Sequence, residues 1–139
     1  EVMKKLFLFG LGLFLIIIAS CEEDTLDIEI DISSDDWKVV QIKKTNDLSY
    51  VSATENYILQ FVNDSAFTFN LDVNTCGGQY KIISAGRIEF GNVYCTEMCC
   101  DSQYAYDLRQ LILDMTSYYG KDNQLVLKGQ QGEIVLESF

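Results

Sequence analysis

The chain has no histidine among its 139 residues, a single tryptophan, and only 10 lysines and arginines against 21 aspartates and glutamates. Without histidine there is no Ser-His-Asp or Cys-His arrangement for nucleophilic catalysis. No Gly-x-Ser-x-Gly elbow replaces it, and no Gly-rich loop opens a helix where it would cradle a phosphate. Gly77-Gly78 leads into a strand pattern and reads as a turn or bulge. A Cys-x-x-Cys redox pair is missing, and no two of the many carboxylates are singled out by spacing as acid and base. The expectation is a protein that is not an enzyme and carries no cofactor. The scarcity of positive charge excludes a second group of functions. From Cys21 onward 8 Lys and Arg face 20 Asp and Glu, which suits neither nucleic-acid phosphates nor anionic lipid headgroups.

No apolar run is long enough to span a bilayer. Leu6 to Ile18 gives 13 such residues, short of the ~20 a transmembrane helix needs. Lys4 and Lys5 precede this run, and the small residues Ala19 and Ser20 follow it, which is the pattern of a signal peptide over residues 1–20. Ile18-Ala19-Ser20-Cys21 resembles the lipobox of bacterial lipoproteins. That resemblance implies acylation of the Cys21 thiol, with palmitate-type chains, and a mature protein beginning at Cys21. It would be a lipoprotein of the outer membrane, on its periplasmic face or the cell surface, held by several acyl chains as stable anchoring requires. An ordinary secretory signal with a chance cysteine is the competing account. Residues 21–36 read as an acidic tether, in which Glu22-Glu23-Asp24 resembles the export signal of surface lipoproteins or serves as a solvated linker. Alternation of Leu26, Ile28, Ile30 and Ile32 offers an edge strand as the alternative.

From Trp37 the pattern changes to short β-rich runs: Trp37 to Ile42, Tyr57 to Val62, Ala66 to Leu71, Gln79 to Ser84 and Arg87 to Phe90. Tyr104, Leu108, Leu111, Ile112, Met115 and Tyr119 then recur at helical spacing, predicting a helix from about Gln103 to Tyr119. Asp101 or Ser102 can cap its start and Gly120 its end. Gln124 to Lys128 and Glu133 to Glu137 return to alternation around Gly129-Gln130-Gln131-Gly132. The expected fold class is α+β: an antiparallel, curled or barrel-like sheet of about seven strands, with one helix packed on its open side.

Cysteine supplies the remaining chemistry. With Cys21 set aside, Cys76, Cys95, Cys99 and Cys100 are an even number in an exported chain, so disulfides are the default. A bridge between adjacent Cys99 and Cys100 strains the intervening peptide, which leaves two connectivities open. Zinc is disfavoured, because Cys95-x3-Cys99-Cys100 lacks the paired knuckles of zinc ribbons and no histidine is present; no metal is expected.

Phe67 to Leu71, Asn74-Thr75-Cys76-Gly77-Gly78-Gln79-Tyr80, Ile88-Glu89-Phe90 and Thr96-Glu97-Met98-Cys99-Cys100 together resemble the META domain of HslJ-like envelope proteins. The likeness spans about 37–139, with Trp37 where the family's first strand carries a tryptophan. Thr75-Cys76-Gly77 departs from the usual Gly-Cys-Asn, and Cys95 and Cys99 are additional. The resemblance implies a small α+β domain with roles in stress response or envelope maintenance. It also favours pairing Cys76 with Cys100, the two positions that match the family's elements, and Cys95 with Cys99.

Three functions follow as expectations. An interaction module would present the segment Cys95 to Asp101, with Thr96, Glu97, Met98 and Asp101 as its partner-facing residues and an envelope protein as its partner. A lipocalin-like carrier would enclose a small apolar ligand among Phe67, Phe69, Tyr80, Tyr104, Tyr106, Tyr118 and Tyr119, although aromatics on alternating strand positions more commonly fill a core. An inhibitor would use the acidic charge against a cationic envelope hydrolase. Tyr118-Tyr119 beside Gly120 offers a second exposed patch.

Overall fold

Side chains that alternate between core and solvent organise the chain into nine strands and a helix. In the computed structural model, which describes residues 30–121 and 123–139, these are β1 (Asp36–Lys44), β2 (Val51–Ser52), β3 (Ile58–Asn63), β4 (Ala66–Asn70), β5 (Thr75–Ser84), β6 (Arg87–Cys95), α1 (Gln103–Asp114), β7 (Met115–Lys121), β8 (Gln124–Gly129) and β9 (Gly132–Ser138). Cys21, the Glu22-Glu23-Asp24 cluster, Leu26, Ile28 and the signal-peptide region lie outside the described residues.

The pairing is antiparallel throughout. It follows chain order from β3 to β9 and returns to β1, which pairs with β3 on one edge and β9 on the other. Eight strands therefore close a barrel, where about seven had been expected. The short β2 joins β1 on the same edge as β3, through Gln41↔Ser52 and Ile42↔Val51. Residues 53–57 connect β2 to β3, tied to β1 by the Ala53 N–H on the Val40 carbonyl and the Val39 N–H on the Tyr57 carbonyl. Closure is thinnest between β6 and β7, which meet at Arg87↔Ser117 and through the Tyr118 N–H bond to the Gly86 carbonyl at 2.9 Å.

The extra strand comes from the chain expected to finish the helix. Ser102 caps α1, its hydroxyl accepting from the Ala105 N–H at 3.2 Å, and Tyr104, Leu108, Leu111 and Ile112 form the buried stripe. The helix ends at Asp114, five residues earlier than expected, because Met115 turns extended and Tyr118 to Lys121 pair residue by residue with β8. Met115 and Tyr119 fit both periods; the aromatic and β-branched run Thr116 to Tyr119 favours the strand.

β5 and β6 are also longer than expected. Gly77 and Gly78 lie inside β5, with a register shift between Gly78 and Tyr80. A Cβ on Gly78 would sit 2.5 Å from the Asn92 carbonyl oxygen and 3.2 Å from the Phe67 ring, so only glycine lets these strands approach.

Side chains fill the barrel interior. Leu59, Phe67, Ile88, Leu125, Ile134 and Leu136 are fully buried, and each such side chain stabilises by about 1.5–3 kcal/mol. Phe61 meets Tyr80, and Phe67 meets Phe90, edge to face at 4.8 Å between centroids. Helix α1 covers the end where β6 finishes and β7 starts, touching β6, β8 and β9. The opposite end is covered by residues 30–35, with Ile32 buried and its carbonyl accepting from the Trp37 indole N–H at 2.8 Å. This described part of the expected tether is thus part of the barrel, and it forms no strand. Ile32 shields the apolar base that Trp37 would otherwise expose.

Candidate functional site

The helix-capped end gathers the residues of the two sequence elements Asn74–Tyr80 and Thr96–Cys100. Asn74 is the one buried polar residue among the described core, and its side chain is saturated. Its Nδ2 donates to the Met98 carbonyl at 2.7 Å and to Asp101 Oδ2 at 2.6 Å. Its Oδ1 accepts from Thr96 Oγ1 and from the Met98 N–H, both at 2.8 Å. Asp101 Oδ1 accepts in turn from the Val73 N–H at 3.0 Å, and the Thr75 N–H bonds Thr96 Oγ1 at 3.1 Å. A buried amide that uses all its groups fixes the surrounding backbone in one arrangement. The segment between β6 and α1 is therefore knotted onto the β4–β5 turn.

A second tie lies beside the first. Asp72 accepts from the Tyr57 hydroxyl at 2.6 Å and from the Ser102 N–H at 2.5 Å, joining the 53–57 connection to the start of α1. Burial by itself would raise the Asp72 carboxyl, but the bonds from Ser102 and Tyr57 hold it below the usual carboxylate range. Burial and that carboxylate push the Tyr57 phenol up. Tyr104 stacks on Tyr57 with centroids 5.2 Å apart. Asn74, Asp72 and Tyr57 were not singled out as site residues by the sequence, although Asn74 stood within the recognised motif.

The disulfides differ from expectation. Cys76 is joined to Cys95, and Cys99 to Cys100; the expected bridges Cys76 to Cys100 and Cys95 to Cys99 are not formed. β6 runs on to Cys95 instead of stopping at Phe90, and the ladder sets Cys95 directly opposite Cys76, with Cα atoms 4.0 Å apart. Once those two are taken, the adjacent thiols have only each other. The Cys99–Cys100 pair, which the strain argument had set aside, spans a cis peptide on the exposed rim. Cys76 is buried and Cys95 half-buried.

Beside Cys100 lies an open depression of about 670 Å³, edged by Glu55, Asn70, Asp72 and Ser102. Its character is polar and acidic. Thr96, Glu97 and Met98 are exposed on the adjoining rim, and Asp101 is half-buried beneath them. Among the described residues no group of three or more Cys, Asp or Glu is arranged to hold a metal ion. Phe67, Phe69, Tyr80 and Tyr104 belong to the core, whereas Tyr106 and Tyr119 are exposed and Tyr118 half-buried.

The sequence profile of the META domain matches residues 30–138. The chain belongs to the META domain family. The match begins at Ile30, in keeping with the burial of Ile32 in the META barrel. No curated protein matches the chain. Among solved structures, a protein from Burkholderia xenovorans superposes with a TM-score of 0.63 at 10% identity, over 78% of this chain and 83% of its own. A DUF4847 family protein from Bacteroides vulgatus gives 0.58 at 13% identity, over 77% and 94%. At such identities the likeness is one of fold.

Proposed function

We propose that this META barrel is a non-enzymatic, lipid-anchored module of the bacterial envelope that binds a basic protein partner through the rim Thr96 to Asp101. The observation that carries this reading is the Asn74 knot. It fixes the backbone of Thr96 and Met98 while leaving the Glu97 and Met98 side chains in solvent, so the rim is preorganised and little ordering entropy opposes binding. Glu97 on the rim, with Glu55 and Asp72 at the neighbouring depression, supplies acidic complementarity that favours a cationic partner. An inhibitor of a cationic hydrolase is one form this partnership can take. Side chains fill the barrel interior, which disfavours a carrier that would enclose its ligand there.

The test is capture from envelope extract by the parent domain and by a Glu97→Lys, Met98→Asp double variant. Both replaced side chains are exposed, so the melting temperature should stay the same while capture of a basic protein is lost. Equal capture by both proteins refutes the rim. Anchoring is tested separately: Cys21→Ser should abolish fatty-acid labelling and membrane retention, and retention without label refutes the lipoprotein reading.

A further inference from the structure

The end of the barrel opposite α1 is apolar where it should meet water. Val62 and Phe139 are 60% and 78% exposed, and Ile82, Ile83 and Tyr119 are exposed beside them. Val62 precedes the β3–β4 turn, Ile82 and Ile83 stand at the tip of the β5–β6 hairpin, and the Phe139 N–H bonds the Asp36 carbonyl at the foot of β1. A groove of about 1020 Å³ opens beside Ile82 and Tyr119, lined also by Ile30, Ile32, Tyr80 and Tyr118. Exposed apolar side chains also stand toward the α1 end, Leu48, Tyr94 and Met98 among them, and what sets this pole apart is that its exposed apolar residues adjoin an apolar-lined groove.

The chain itself points to what the contact is. Ile30 enters at this groove, nine residues after Cys21, and an extended stretch of that length spans about 30 Å. An acyl chain on Cys21 would hold the entry of the chain at this end within that distance of a leaflet, so weak apolar contacts operate at high effective concentration. Nearby charges are mixed, with Asp31 and Asp64 beside Lys81. From Cys21 onward the net charge of −12 (8 Lys and Arg against 20 Asp and Glu) opposes an anionic surface, but a zwitterionic one offers no such repulsion. We propose that this end is the membrane-facing surface of the protein, with Ile82, Ile83 and Phe139 seated in the interface of a zwitterionic leaflet. The inference rests on the anchored reading above, and it places the Thr96–Asp101 rim on the pole facing away from the bilayer.

Hydrogen–deuterium exchange tests it on the mature chain, carried by an N-terminal histidine tag on nickel-chelating lipid in phosphatidylcholine vesicles. This tether does not depend on acylation, which is read apart from it by the intact mass of the native protein. A missing lipid mass would therefore refute the anchor without touching the exchange result. Peptides covering residues 80–87 and 136–139 should exchange several-fold more slowly on vesicles than free in solution, while residues 96–101 do not change. The double variant Ile82→Ser, Ile83→Ser should lose the protection yet keep its melting temperature, because both side chains are exposed; Phe139→Ser is the second variant. Unchanged exchange at 80–87, or protection at 96–101 instead, overturns the proposal.

Discussion

Removing the Asn74 amide should untie the rim and cost the domain a large part of its stability. Asn74→Ala leaves the Met98 N–H, the Met98 carbonyl, Thr96 Oγ1 and Asp101 Oδ2 without the partner each now has. A polar group left unpaired in the interior costs about 1–3 kcal/mol. Met98 and Thr96 are exposed enough for water to replace part of what is lost, and Thr96 Oγ1 keeps the Thr75 N–H, so three groups at the low end of that range give a total of about 3 kcal/mol. For a domain near this size that lowers the melting temperature by about 10–15 °C. Circular dichroism melts under oxidising conditions measure the loss, and faster exchange of the Met98 amide locates it. Asn74→Asp sharpens the test. It keeps the acceptor for Thr96 and Met98 but sets a second carboxylate against Asp101, 2.6 Å from the present Nδ2. Burial and like charge raise the introduced group in the folded state above its unfolded value of about 3.9. The folded variant therefore binds the proton more tightly, its deficit is largest at neutral pH, and the deficit shrinks as pH falls toward that value. A loss under about 1 kcal/mol for Asn74→Ala, with exchange at residues 96–101 unchanged, refutes the knot.

The two bridges should separate cleanly. Closing the 19-residue separation between Cys76 and Cys95 stabilises by about 3 kcal/mol through the unfolded chain, whereas joining neighbours closes almost no loop. Replacing Cys76 and Cys95 by Ala should lower the melting temperature far more than replacing Cys99 and Cys100, and a peptide map linking Cys76 to Cys100 would refute the assignment. Tyr50→Phe should show a pH-dependent deficit. The Tyr50 hydroxyl bonds Glu133 Oε2 and, with Lys128 at 3.0 Å from Oε1, holds the Glu133 carboxyl below its ordinary value. A lowered carboxyl contributes stability above its unfolded value of about 4.3 and loses it as pH falls through the folded one. The parent should thus exceed the variant by on the order of 0.5–1 kcal/mol at neutral pH, with the gap closing in acid; a pH-independent gap refutes the coupling. The same bond pushes the Tyr50 phenol up to about 12, which an ultraviolet titration reads directly.

The barrel was legible in the sequence wherever one period ruled. Trp37 and Val39, and then Phe67 and Phe69, alternate because one face of each strand is core, and Tyr104, Leu108, Leu111 and Ile112 form the expected helical stripe; Ile42 returns to the core face only through the register shift between Val39 and Gln41. Reading failed where residues satisfied two patterns. Met115 and Tyr119 continue the helical stripe and fit the strand equally, and pairing with β8 decides between them, which is tertiary information. The strand expected over Arg87 to Phe90 stops short of Gly91 and Asn92. Both are interior to β6, since a Cβ at residue 91 would sit 3.3 Å from the Gln79 carbonyl oxygen across the ladder. That misplaced end hid the pairing of Cys95 with Cys76. No composition or spacing rule supplies a register, and a register is what a cross-strand bridge needs.

The elements that identify the family turn out to be the two halves of one knot. Asn74 and Cys76 come from the first, and Thr96 and Met98 from the second; the amide and the Cys76–Cys95 bridge fasten one to the other. The bonds between them hold the segment that leads into α1 against the barrel, so these residues serve the architecture and are silent about a partner. The side chains free to meet a partner are those the knot leaves unemployed. Glu97 makes no bond within the domain's network of described contacts, and Met98 enters it only through its backbone. Neither is held by packing, so either can change without loss of the barrel. A partner's specificity located there can therefore change while the knot stays the same.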